Sequence, residues 1–100
     1  MIGDNFIGKK VLARGKDSGV YFGVLASRDG QEVEMHNVRN IWYWSGAAAL
    51  PQLAAEGVKF PNDCKFTMTI DSLVLLDVIE IVPCTDEAIA NIEAVRAWRR

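Results

Sequence analysis

The chain has 100 residues, half of them hydrophobic, a formal net charge of -2 and a pI of about 5.3. This length and composition predict one folded domain over residues 1–100 and exclude a disordered chain. The acidic balance disfavours nucleic acid as a partner, and no apolar run approaches the roughly 20 residues that cross a bilayer, so we expect a cytoplasmic protein without a membrane partner.

The first two predicted strands are short apolar runs at residues 9–15 and 20–27. The turn-forming residues 16–19 separate them. Gly23 lies in the middle of the second run, and an interior strand glycine indicates a bend, a bulge or a close backbone approach. We therefore predict an antiparallel pair with an irregularity at Gly23.

A tight turn and two further runs follow. Asp29-Gly30 is a hairpin signal, because this dipeptide readily adopts positive φ. Residues 31–37 alternate between apolar and polar, which is typical of a half-buried strand. A short kink near Asn37 is expected to separate this strand from the next one, residues 39–44.

Residues 39–44 are the most aromatic part of the chain. Alternation along a strand places them on two faces: Asn40, Trp42 and Trp44 on one, Arg39, Ile41 and Tyr43 on the other. Both faces are large and mostly apolar. We therefore expect the core on one side and a subunit or a ligand on the other.

The alanine-rich stretch that follows predicts a short helix. It begins near Leu50 or Pro51, because proline fits the first helical turn, and ends at Glu56, with Gly57 as the residue after the C-cap. Residues 58–65 are expected to form a loop.

The last third of the chain predicts two strands and a helix. Residues 65–70 alternate, residues 71–72 form a turn, and residues 73–82 form a long strand whose lack of alternation suggests burial on both sides. Thr85 is the expected N-cap of the final helix. The apolar side of that helix is expected to comprise Ile89, Ile92, Val95 and Trp98. Its last turn is expected to be basic, with Arg96, Arg99 and Arg100.

The predicted order β-β-β-β-α-β-β-α gives an α+β fold class. We expect a mostly antiparallel, strongly bent sheet or a small β-barrel, with a short inserted helix and a C-terminal helix. The run Gly19-Val20-Tyr21-Phe22-Gly23-Val24-Leu25, the Asp29-Gly30 turn and the strand ending in His36-Asn37-Val38 resemble the first half of an Sm-like or SH3-like barrel. The alternative is any other bent β-meander.

A second resemblance spans most of residues 10–95. The segment Arg39-Asn40-Ile41-Trp42-Tyr43-Trp44-Ser45-Gly46-Ala47-Ala48 and the run Ile79-Glu80-Ile81-Val82-Pro83-Cys84-Thr85 resemble a family of small phage and prophage proteins with an Arg-Arg-Ile-Trp-Tyr-Trp-Ser-Gly-Ala-Ala motif. This chain departs from that pattern in having a single arginine, Arg39, and in having Pro51. The resemblance implies a phage origin and an infected bacterial host cell, and it implies no reaction.

The candidate ligand-binding residues are aromatic, basic or small and polar. They are Arg39, Asn40, Trp42, Tyr43, Trp44, Ser45, Tyr21 and Arg14. Tryptophan faces suit nucleobases, and arginine makes a forked contact with phosphate. The alternatives are core or interface packing for the aromatic residues and a solvated position for the arginines.

No catalytic signature is present in the sequence. For His36 and Glu34, the alternatives are an acid–base pair, a metal site or two solvent-exposed side chains on a strand. The last is the more usual arrangement. Cys64 and Cys84 lack Cys-x-x-Cys spacing, and no phosphate loop or nucleophile elbow occurs. We therefore predict a non-enzyme with no catalytic residue, no metal and no cofactor.

Two functional classes remain open. The first is a phage accessory protein that binds and sequesters a small nucleotide-like ligand, such as a host defence signal. The second is a protein- or RNA-interaction module of the Sm-like type. In either class we expect a homo-oligomer, because the apolar surface of residues 39–44 exceeds what one small core hides.

Overall fold

The computed structural model describes residues 1–99. Its regular elements are β1 (Lys10–Gly15), β2 (Gly19–Asp29), β3 (Glu32–Tyr43), α1 (Leu50–Glu56), β4 (Lys65–Phe66), β5 (Ile70–Leu75), β6 (Val78–Pro83) and α2 (Asp86–Ala94). Two single turns of 3-10 helix, Asp4–Phe6 and Pro61–Asp63, complete them. Within this range, no helix is long and apolar enough to cross a membrane.

The strands form one antiparallel sheet in the order β4-β3-β2-β1-β6, and β5 pairs with another stretch of β3. The predicted α+β fold with a bent antiparallel sheet, an inserted helix and a C-terminal helix is confirmed. Of the two forms that the sequence predicts, the structure has the open sheet, since no closing pair joins β5 to β6 among the described residues.

The bend of the sheet arises where Gly23 faces Asn37 and Val38. The register between β2 and β3 shifts at this point, so two residues of β3 oppose one of β2. Asn37 has a positive φ of 48°, and a Cβ atom on Gly23 would lie 2.9 Å from the Val38 Cα atom. The glycine therefore permits a close backbone approach, as predicted, and the kink near Asn37 is a bulge within one strand rather than a break between two.

Hydrophobic residues form two buried clusters. The first lies under the helices and comprises Leu12, Val20, Phe22, Ile41, Leu50, Leu53, Ala54, Val58, Cys64, Phe66, Ala88, Ile92 and Val95. The second contains only strand residues: Val11, Ala13, Leu25, Val33, Met35, Val38, Leu75 and Val78. Successive residues of β1 alternate between the two clusters, so both faces of this strand are buried.

The two helices agree with the sequence at their starts. Helix α1 begins at Leu50 and ends at Glu56, and its C-cap Gly57 has a φ of 77°, which suits glycine. The Thr85 hydroxyl oxygen accepts a hydrogen bond from the Ala88 N–H at 3.1 Å, which confirms the predicted N-cap. Helix α2 ends at Ala94, so the prediction that Val95, Trp98, Arg96 and Arg99 belong to it is wrong, and all four lie beyond its last turn. Arg100 lies outside the described residues.

The predicted strand boundaries after α1 are wrong. Asp71 and Ser72 lie within β5, and the chain breaks instead at Leu76 and Asp77. The break has a physical cause, because the Asp77 carboxylate bonds to the turn between β1 and β2 instead of continuing a strand. Neither β5 nor β6 is buried on both sides, and Leu76 between them is 67% exposed.

Candidate ligand pocket

An open pocket of about 520 Å³ lies between the β1–β2 turn and the loop that follows β3. The turn contributes Arg14, Lys16 and the backbone of its two glycines. The loop contributes the side chain of Trp44 and the small residues Ala48 and Ala49. The volume of the pocket falls within the range of small-molecule sites, roughly 300–1,000 Å³.

The turn that forms the first wall is held by Asp77. One carboxylate oxygen of Asp77 accepts the backbone N–H groups of Asp17 and Ser18, and the other accepts the Ser18 hydroxyl at 2.7 Å. The Lys16 N–H donates to the Asp77 backbone carbonyl at 2.9 Å. The bond from Ser18 and that from the Asp17 N–H lower the pKa of Asp77 from its ordinary value. The carboxylate is therefore ionised and well satisfied at neutral pH.

The loop that forms the second wall is tied down at several points. The Trp44 indole N–H donates to the Ala47 carbonyl at 3.3 Å, and the ring packs against the first hydrophobic cluster. The Ala48 N–H donates to the side-chain oxygen of Gln52 at 2.8 Å, which connects the loop to α1. Both walls are therefore ordered before any ligand arrives, which reduces the entropy cost of binding.

The charges at the pocket are mixed, with two cations and one anion. Arg14 and Lys16 are exposed, and neither forms an ion pair within residues 1–99. Asp17 also lines the pocket, and Glu80 is the cross-strand neighbour of Arg14. A ligand with a localised negative charge near Arg14 and Lys16 and an apolar flat part near Trp44 matches this distribution.

Among the predicted ligand residues, Arg14 and Trp44 come together at this pocket, and Arg39 does not. Arg39 is 6% exposed. Its Nε atom donates to the Thr67 carbonyl at 3.0 Å, and its Nη1 atom donates to the carbonyls of Ile92 and Val95 at 3.1 and 2.9 Å. The expected phosphate contact is therefore replaced by a structural role, in which Arg39 ties β3 to the end of α2.

Three other predicted residues also serve the fold. The Asn40 side-chain amide donates to the Val20 carbonyl at 3.0 Å. The Ser45 N–H donates to the Cys64 sulfur at 3.4 Å. Tyr21 is half-buried against the second hydrophobic cluster. None of these three residues lines the pocket, although the Asn40 amide lies directly behind its wall at Gly19 and Val20.

Trp42 and Tyr43 are exposed, on a different part of the surface. The Trp42 ring is 61% exposed and lies 5.3 Å, between ring centroids, from the ring of Trp98. The Lys65 ammonium lies 5.1 Å from both centroids. Sequence reasoning missed Lys65 and Trp98 because both are far from Trp42 in the chain, and it missed Lys16 because a lysine in a turn carries no signal of its own.

The remaining titratable candidates, His36, Cys64 and Cys84, do not line this pocket. The His36 Nε2 atom lies 2.6 Å from a Glu34 carboxylate oxygen, with both side chains nearly half exposed on β3. Burial raises the pKa of Cys64 and raises that of Cys84 to about 12. No cluster of potential metal ligands occurs in the described part of the chain.

The comparison with known proteins identifies one family. The model of a domain of unknown function, DUF6948, matches residues 8–92, which contain all eight regular elements except the last two residues of α2. The search of curated proteins finds no match. The matched range includes both walls of the pocket.

Proposed function

This chain belongs to the DUF6948 family, and we propose that it is a non-enzymatic protein that binds and sequesters a small nucleotide-like ligand in the pocket beside Trp44. Within the proposal, the ligand is a host defence signal and the protein is a phage accessory protein that acts in the host cytoplasm. The phage setting rests on the motif around residues 39–48, and the binding role rests on the pocket.

The observation that carries the proposal is the meeting of Arg14, Lys16 and Trp44 at one cavity. A nucleotide combines a flat base with a negative phosphate. The exposed cations supply charge-assisted hydrogen bonds to phosphate, and the indole supplies an apolar surface for the base. Gly15 serves the shape of this wall, since a Cβ atom there would lie 1.8 Å from the Ser18 hydroxyl oxygen that Asp77 binds.

Sequestration requires affinity and no turnover. Affinity benefits from walls that are already ordered, and Asp77 and Gln52 order the two walls of this pocket. The structure therefore supports a binding role without requiring a reacting group.

The proposal is tested by mass spectrometry of the fraction that heat releases from protein purified from phage-infected cells. An unchanged nucleotide in the wild-type fraction, absent from an Arg14→Ala/Lys16→Ala variant, supports it. Lys9→Ala is the matched control, since it removes an exposed cation outside the pocket. No nucleotide in the wild-type fraction, together with no thermal shift from cyclic AMP, cyclic dinucleotides or ADP-ribose, contradicts it.

Self-association remains part of the proposal, with a different surface from the one that the sequence suggested. Within residues 1–99, strands β5 and β6 each pair with a single strand and so each have one unpaired edge. Val74 on β5, Leu76 after it and Ile79 on β6 are all more than half exposed. Edges of this kind, when they carry apolar side chains, support pairing with a second copy.

The second candidate function is an interaction module. It is supported by a separate observation, the exposure of Trp42 and Trp98 on the side of β3 and β4. Large aromatic rings left in solvent are characteristic of surfaces that bind a partner.

A further inference from the structure

Three residues from three parts of the chain form a cationic aromatic surface, here called the tryptophan patch: Trp42, Lys65 and Trp98. The two rings are tilted by 32° with centroids 5.3 Å apart. The Lys65 ammonium lies 5.1 Å from each centroid, within cation–π range. Trp42 is 61% exposed and Trp98 is 41% exposed.

The backbone beneath the patch is well ordered. Trp42 is near the end of β3, and Lys65 is on β4, which pairs with that end. The segment after α2 pairs in turn with β4: Phe66 and Ala97 form a parallel bridge, and the Trp98 N–H donates to the Phe66 carbonyl at 2.8 Å. The rings are therefore exposed while their attachment points are fixed, so the patch is a preformed surface rather than a loose terminus.

Basic side chains accompany the rings of the patch. The Lys65 ammonium lies equally close to both rings, and Arg96 and Arg99 are exposed on either side of Trp98 in sequence. Arg99 also lines a small pocket with Met68 and Trp98. Asp63 is the nearest acidic residue in sequence to Lys65. The surface thus offers flat apolar rings next to positive charge.

We propose that the tryptophan patch binds single-stranded nucleic acid by stacking unpaired bases on Trp42 and Trp98, while Lys65 and Arg99 contact the phosphates. This inference rests on the second candidate function and is independent of the Trp44 pocket. The rings already lie within the contact range of an aromatic pair, so a base stacks on an outer ring face and not between them.

Charge complementarity favours this occupant over others. A proline-rich peptide stacks on tryptophan but gains nothing from the cations, whereas each nucleotide brings both a base for the rings and a phosphate for the cations. Because the protein as a whole is acidic, its affinity for nucleic acid cannot come mainly from neutralising phosphates. Stacking of bases therefore supplies most of the binding free energy, and the affinity depends only weakly on salt concentration.

The test is fluorescence anisotropy of labelled twelve-nucleotide oligo(dT) and oligo(U) with the full chain. Trp42→Ala and Trp98→Ala should each weaken binding about fivefold or more, since stacking of one base is lost. Ile7→Ala is the control, because it removes an apolar side chain of similar exposure outside the patch. With two phosphate contacts, the plot of log K against log salt concentration should have a slope of about -1.4.

The exposed tryptophans can be replaced without loss of core packing, and unfolding midpoints verify that the variants fold. The Arg14→Ala/Lys16→Ala variant should bind the oligonucleotides like wild type. The experiments therefore distinguish a wrong proposal for the Trp44 pocket from a wrong proposal for the patch. The inference is overturned if wild type does not bind either oligonucleotide, or if both tryptophan variants bind normally. It is also overturned if light scattering shows that an oligomer buries the patch and that Trp98→Ala abolishes that oligomer.

Discussion

Asp77 accepts a hydrogen bond from the Ser18 hydroxyl at 2.7 Å, although 59 residues separate the two in sequence. Asp77 lies in the break between β5 and β6, and Ser18 lies in the turn between β1 and β2. One carboxylate therefore sets both the point where the late strands separate and the shape of the turn that forms a wall of the pocket.

This relationship predicts a pH-dependent contribution to stability. The pKa of Asp77 is lowered in the folded state by the Ser18 and Asp17 bonds, so the ionised form favours folding. The contribution is fully present above the ordinary pKa of aspartate, about 3.9, and is lost as the pH falls through the lower folded value. Urea unfolding at pH 7 should show that Asp77→Asn is less stable than wild type.

The difference between Asp77→Asn and wild type should shrink below about pH 4, where the wild-type carboxylate takes up a proton. Asp71→Asn is the matched control, because Asp71 is exposed on β5 and its side chain makes no hydrogen bond within residues 1–99. An equal effect of the two substitutions at pH 7 would refute the role of Asp77.

Removal of the Arg39 side chain should impair folding. Arg39→Ala leaves the buried Val95 carbonyl and the part-buried Thr67 carbonyl without their donor, while the Ile92 carbonyl keeps its bond from the Val95 N–H. Each unsatisfied buried group costs about 1–3 kcal/mol, so we expect a loss of roughly 2–4 kcal/mol in the free energy of unfolding. Chemical denaturation measures it.

Arg14→Ala is the control for Arg39→Ala, since Arg14 is exposed and should lose less than about 0.5 kcal/mol. If Arg39→Ala folds as stably as Arg14→Ala, the buried contacts of Arg39 do not contribute to stability.

Arg14 lines the pocket and Arg39 is buried, and only part of this difference could be predicted from the sequence. Alternation and turn residues predict β1 and β2, and they predict β3 as two strands instead of one; the Gly23–Val38 approach follows from a glycine inside a strand. The position of Arg39 does not follow, because it depends on β4 and the end of α2 passing over β3. Contacts between residues that are distant in the chain, such as Asp77 with Ser18, leave no local pattern.

The same reason explains the partial prediction of the site. Trp44 and Arg14 are individually plausible ligand residues, yet only the sheet order brings the β1–β2 turn next to the loop after β3. The patch of Trp42 and Trp98 requires that α2 end at Ala94, four residues before the periodic apolar positions end.

Both cysteines should be unreactive in the native protein. Burial raises the pKa of Cys84 to about 12 and also raises that of Cys64. The thiolate is the reactive form, so at pH 8 the thiolate fraction of Cys84 should be on the order of a thousandfold below that of an ordinary exposed thiol. Ellman's reagent should react slowly with the folded protein and rapidly with both thiols in guanidinium; fast reaction in the folded state would contradict this.

Self-association through β5 should be sensitive to charge at Val74. This side chain is 58% exposed, and a lysine on an edge strand opposes pairing with another chain. Multi-angle light scattering should show an oligomer for wild type and a smaller species for Val74→Lys. Gln31→Lys, which adds the same charge on an exposed turn, should leave the mass unchanged; a wild-type monomer at high micromolar concentration would refute the assembly.

The pocket itself is tested most directly by isothermal titration of wild type and Arg14→Ala/Lys16→Ala with 3′,3′-cyclic GMP–AMP and ADP-ribose. We expect saturable binding of at least one probe to wild type. The variant should bind it at least about tenfold more weakly, through the loss of charge-assisted hydrogen bonds, with an unchanged unfolding midpoint. Equal affinity of the two proteins, or no heat from wild type with either probe up to about 1 mM, would contradict a nucleotide site beside Trp44.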